Sequence, residues 1–180
     1  MYKIPSSYCG LPFKFQAKLI LGDYMLYIPF WILLIVLLVI VFVVAYIRKF
    51  DFIDVQLVIM VSLAAFVFDM TFAKWLRLYY YIDINYTAFY SLLACLFIYP
   101  SLGFIFYKFL PSQKEYIAGC VVVWLVALAV FEVYIVMPYR IVIYTGWIIL
   151  PWSLLVYVLS FSWEYVCGKI LSKHTKAKNG

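Results

Sequence analysis

Two carboxylates, Asp69 and Glu132, stand inside long apolar stretches, and the chemistry open to such a pair starts from their surroundings. A charge deep in hydrocarbon costs roughly 2.5–3.5 kcal/mol on insertion scales, so it faces protein, water or a partner. Two acids close together with no cation between them do not both ionise readily at neutral pH. They can share a proton, hold a cation, act as general acid and base, or serve only as a buried polar cluster that pins helix register. Asp69 is followed by Lys74, Arg77 and the run Tyr79-Tyr80-Tyr81. Its own helix offers no counter-ion at the favourable spacing of three or four, because Lys74 is five positions on and Arg77 eight.

The elements that must position these acids follow from the hydropathy pattern. Of 180 residues 69% are hydrophobic and 12% charged, with mean hydropathy +1.06, a balance outside the range of soluble domains. The expectation is an all-α membrane protein: five transmembrane helices at about 24–47, 55–75, 86–107, 116–137 and 142–165. Residues 1–23 are expected as an N-terminal interfacial arm, 24–168 as the transmembrane domain and 169–180 as a basic tail. The first span is apolar all round and reads as an anchor. Spans two and four cross in the same direction, which puts both carboxyls about 6–8 Å from the midplane toward one face, at 1.5 Å rise per residue. Spans three and five bring Tyr86, Tyr90 and Ser91, and Arg140, Tyr144, Thr145 and Trp147, to that same half. The candidate polar site is therefore Asp69, Glu132, Arg140, Tyr86, Tyr90, Tyr144 and Trp147.

Other features carry less chemistry. Ser62, Ala64 and Ala65 permit close helix approach. Pro100, beside Ser101 and Gly103, predicts a kink in the third span. Glu164, between Trp163 and Tyr165, reads as a solvated boundary residue at the end of the fifth span, and His174 as a solvated tail residue. The four cysteines are far apart, which argues against a zinc site, a redox motif or a disulfide framework. No phosphate-binding glycine loop, H-E-x-x-H or nucleophile elbow is present, and no cofactor or metal is expected. The net charge of +6 is scattered over short loops and the tail, so it reads as membrane-flanking charge and not as a nucleic-acid surface.

Lys and Arg number eight on the side of the C-terminal tail and six on the other, which favours an outside N-terminus and a cytoplasmic C-terminus. Of 18 tyrosines, 12 fall at the face shared with the N-terminus, a bias that suits a docking surface or a lined vestibule.

The run Asp69 to Tyr81 after an apolar helix, Tyr99-Pro100 leading to Phe106-Tyr107-Lys108-Phe109-Leu110-Pro111, Phe131-Glu132, and Tyr144-Thr145-Gly146-Trp147 leading to Trp152-Ser153 together resemble a family of small multi-span membrane proteins from endospore-forming, Gram-positive bacteria. The resemblance covers about residues 65–160. It implies a bacterial cell-membrane location and brings no assigned catalytic residues.

Three functional expectations follow. The first is a non-enzymatic accessory or interaction subunit, whose partners are the lipid bilayer and another membrane protein. The second is a small-molecule or ion binding or transport protein built on Asp69 and Glu132. The third is a lipid- or isoprenoid-modifying enzyme with the two acids as acid and base.

Overall fold

A computed structural model describes the backbone of residues 13–111 and 113–179, and side chains over 27–111, 113–148 and 151–171. Residues 1–12 of the expected arm and the side chains of most of the expected tail, His174 included, lie outside the described residues. The molecule is mostly helical, with five helices long and apolar enough to cross a membrane: Tyr27–Arg48, Phe52–Trp75, Thr87–Phe109, Lys114–Val136 and Pro151–Leu171. The first belongs to a continuous helix, Phe13–Arg48, so residues 13–23 of the expected arm extend it. The last continues as helix to Asn179.

The third span is the centre of the bundle: 61% of its apolar stretch is buried, against 22% at most for any other span. Ser91, Ala94, Cys95, Ser101 and Gly103 keep its sides narrow, which lets neighbours close on it. Across it the first span lays Phe30, Leu34, Leu37 and Val44, a one-sided row at helical spacing, while most of its other side chains point outward. The anchor is thus also a wall of the core.

At one end of the bundle the first two spans reverse at Lys49, whose φ of 55° ends the first helix in a left-handed turn. Asp51 then caps the second. Its carboxylate accepts from the Asp54 amide at 3.0 Å, and the Asp54 carboxylate accepts from the Asp51 amide at 2.7 Å. Asp54 is 1% exposed and also pairs with Lys108 of the third span at 2.7 Å, the single ion pair among the described residues. The Lys108 ammonium donates as well to the Lys49 carbonyl, at 3.0 Å, so one cation ties three spans together.

At the other end the two connecting loops pair. Tyr79–Tyr81 (β1) and Val142–Tyr144 (β2) form an antiparallel ribbon in which Tyr79 faces Tyr144, Tyr80 faces Ile143 and Tyr81 faces Val142. This corrects the expected start of the fifth span at 142, since the spanning helix begins at Pro151. A short β-branched and aromatic run such as Val142-Ile143-Tyr144 satisfies a strand or a buried helix equally, and Thr145-Gly146 then breaks it. The ribbon is clamped: amides of Thr145, Gly146 and Trp147 all donate to the Leu78 carbonyl, at 2.9, 3.0 and 3.2 Å. Arg77, Ile82 and Arg140 flank the strands at φ of 52–53°. For β-branched Ile82 that backbone is strained, and the surrounding structure holds it: the side chain is 2% exposed and its amide donates to the Ile141 carbonyl.

Four spans each contain one wide, π-helical turn: Met70–Trp75, Ala94–Ile98, Glu132–Val136 and Ile149–Ser153. One of them ends just before Pro100. The ring removes a backbone donor, and the turn just before it is wound wide, with the Tyr99 amide reaching back to the Ala94 carbonyl.

Candidate functional site

Asp69 is the last residue of the regular part of the second span, 1% exposed. Four donors converge on its carboxylate. Tyr79 donates to Oδ1 at 2.5 Å, while Tyr81 and Ser91 each donate to Oδ2 at 2.8 Å and the Cys95 thiol at 3.5 Å. Strand alternation explains the tyrosines, because Tyr79 and Tyr81 lie on the same face of β1. Tyr81 and Tyr99 share a hydrogen bond of 2.7 Å, and since Tyr81 gives its only proton to Asp69, Tyr99 is the donor.

Glu132, 4% exposed, has a cage of its own. Tyr144 and Ser153 donate to Oε1, the latter at 3.0 Å, and Tyr157 donates to Oε2 at 2.7 Å. Trp147 supports this cage from behind, its indole donating to the Ser153 hydroxyl at 3.0 Å. Among the described residues neither acid has a cation within ion-pair distance; phenols, hydroxyls and a thiol take that place. Outside the spans, burial first and neighbouring polar groups second push the Tyr79, Tyr81 and Tyr144 phenols well above their ordinary range, which keeps them as neutral donors.

The cages meet at the ribbon, where the Tyr79 and Tyr144 rings, partners in register, lie 6.4 Å apart. The Trp147 indole sets its edge or face against Tyr79 at 5.9 Å, Phe72 at 5.4 Å and Phe68 at 6.1 Å. Every π-helical turn adjoins this site. One follows Asp69, one holds Cys95 and leads into Tyr99, one opens on Glu132 and one closes on Ser153. Such turns re-aim side chains by shifting helix register locally, and they concentrate where a site needs it.

Both acids line one cavity of about 450 Å³. It runs from the ribbon down between the spans, walled by Val61 and Ala65, Leu102, Leu128 and Val156, and reaches Glu164. Ser153 and Glu164 mark its two ends on the fifth span, about 16 Å apart at 1.5 Å per residue. Ala64, Leu159, Ser160 and Trp163 line it and are exposed on the outer surface, so the cavity opens sideways between the second and fifth spans. Ala64 and Ala65 line the slot, and their small side chains leave room for it.

Of the expected site residues, the structure brings Asp69, Glu132, Tyr144 and Trp147 together. Tyr90 is buried elsewhere, stacked on Tyr27 at 5.7 Å and edge-on to Phe30 at 4.9 Å. Tyr86 is 44% exposed where the third span begins. Arg140 is exposed in the turn before β2, away from both carboxylates. Depth along the axis had selected these three, but depth says nothing about which face of an element a residue takes.

Glu164 is a further correction. It is 5% exposed, not solvated, because the fifth span sits about nine residues later than expected and carries it toward the middle. Its carboxyl packs on Gly103 of the third span, where a Cβ would collide with it. Tyr79, Tyr81, Cys95, Tyr99, Ser153 and Tyr157 complete the site and lie outside the expected set. The inward pair of the tyrosine run was readable from alternation; the others emerge only once helix rotation is known.

Among the described residues no three His, Cys, Asp or Glu side chains gather as a metal site, and Cys95, Cys120 and Cys167 are free thiols. No family model, curated protein or solved structure matches the chain.

Proposed function

We propose that this chain is a membrane-embedded protein that binds a small lipophilic molecule. The observation that carries the reading is the cavity, whose 450 Å³ falls within the range of about 300–1,000 Å³ typical of small-molecule sites. Its apolar walls, polar ends and sideways opening suit a ligand arriving from the hydrocarbon phase. An accessory subunit held only by its outer surface needs no such space. Acid–base catalysis is less well supported, since Asp69 and Glu132 are both already engaged by their donors. In this reading the cages are architecture: they fix the ribbon that roofs the slot. The resemblance noted above supports a bacterial cell membrane, and the charge bias supports a cytoplasmic C-terminus.

The test fills the slot. Ala65→Trp places an indole where the wall is lined by a methyl group. Purified in detergent and probed by native mass spectrometry with a mixture of long-chain alcohols and amines, the parent protein is expected to retain one lipophile and Ala65→Trp none. Equal retention by the two proteins overturns the reading.

A further inference from the structure

Glu164 is not used by the architecture just described. Its side chain is only 5% exposed, it lines the cavity, and its Oε2 has no hydrogen-bond partner. Asp69 and Glu132, at the other end of the same space, are held by seven donors between them. Glu164 packs on Gly103, a contact that makes room for the carboxyl without satisfying it. A buried carboxyl oxygen left without a partner is destabilising, so one retained at the end of a cavity is explained by what occupies the cavity.

The charge pattern says which occupant fits. Three carboxyl groups line the cavity and not one Lys, Arg or His does, so its field favours a positive guest. Phe161 and Trp163, the chain neighbours of Glu164, line the cavity as well. An ammonium group finds a carboxylate acceptor at Glu164, and an apolar body finds the slot that leads away from it.

We infer that the ligand is a lipophilic amine or ammonium ion, with its cationic nitrogen at Glu164 and its apolar body along the slot toward the tyrosine ribbon. This rests on the lipophile-binding reading and narrows it to one chemical class. The carboxylate takes the charge, the second and fifth spans admit the chain, and Gly103 keeps the carboxyl from being pushed out of the slot.

The experiment sets dodecylamine against dodecanol, which match in chain and differ in charge, on the full chain in detergent by native mass spectrometry. The amine is expected to bind at least about tenfold more tightly, the order expected of one charge-assisted hydrogen bond. Glu164→Gln keeps size and shape, and is expected to bring the amine down to the level of the alcohol while the alcohol is unchanged. Equal binding of amine and alcohol by the parent protein overturns the inference and leaves the lipophile-binding reading standing; that comparison needs no variant to fold. Binding of neither compound overturns both. Undiminished amine preference in a folded Glu164→Gln protein also overturns the assignment, because the charge is then read elsewhere.

Discussion

Asp69 and Glu164 are buried to nearly the same degree, 1% and 5% exposed, in antiparallel helices of one bundle, yet they have opposite surroundings. Asp69 is met by two phenols, a hydroxyl and a thiol. Glu164 is met by a glycine and a cavity. Burial alone therefore does not tell structural acids from functional ones. A fully partnered carboxylate organises what surrounds it, and removing it orphans several donors at once. An unpartnered one organises nothing, and removing it orphans none.

The contrast breaks most easily at Asp69. Asp69→Leu leaves Tyr79, Tyr81, Ser91 and Cys95 without their acceptor in the interior, and the expected loss of stability is about 3 kcal/mol, with buried unsatisfied donors costing about 1–3 kcal/mol each and adding less than fully. Reversible unfolding in mixed micelles, followed by tryptophan fluorescence, measures it. A loss below about 1 kcal/mol means that the cage does not hold the ribbon.

Two glycines give a smaller and more discriminating effect. A Cβ at Gly168 would run into the Tyr107 ring, and one at Gly103 into the Glu164 carboxyl. A ring packed between helices yields less than the end of a flexible side chain. Gly168→Ala is expected to cost about 2 kcal/mol and Gly103→Ala under about 1 kcal/mol, by the same unfolding measurement. Comparable costs mean that the Glu164 side chain is as fixed as the ring, which would remove the sense in which its end of the cavity is adaptable.

Glu164→Met tests the other side of the comparison. Replacing an unpartnered buried carboxyl with an apolar chain of similar length is expected to raise the stability of the ligand-free protein by about 1 kcal/mol. A loss instead means that Glu164 has a structural role after all.

The same contrast marks what was legible in the residues. Five helices follow from apolar runs long enough for a bilayer, and the depth of Asp69 and Glu132 follows from counting along them. Three-residue strands hold too few positions for a period to register, so Val142–Tyr144 merged into the helix after it. That one boundary carried Glu164 to the membrane edge in the sequence reading. Arg140 belongs to the expected polar site on charge and depth, but its left-handed turn lies at the rim of the ribbon. Phenols replace it because β1 begins only ten residues after Asp69 and folds back over the acid, a reversal no hydropathy pattern records.

The finest consequence concerns protons at the ribbon. The Tyr79, Tyr81 and Tyr144 phenols sit above the ordinary phenol value near 10, chiefly through burial. The unfolded chain releases those protons first as pH rises, so the folded state binds more protons than the unfolded state above about pH 10. Stability contributed by the raised values is complete below that pH and falls above it, by up to about 1.4 kcal/mol per pH unit for each phenol. Absorbance at the phenolate band is thus expected to show a cooperative step in which the ribbon phenols ionise together with unfolding. Tyr79→Phe removes one of the three contributions and makes the alkaline loss of stability shallower by up to about that increment, apart from the lost hydrogen bond to Asp69. Smooth titration of the ribbon phenols in a protein that remains folded means that water reaches the cage, and the distinction between a sealed acid at Asp69 and an open one at Glu164 then disappears.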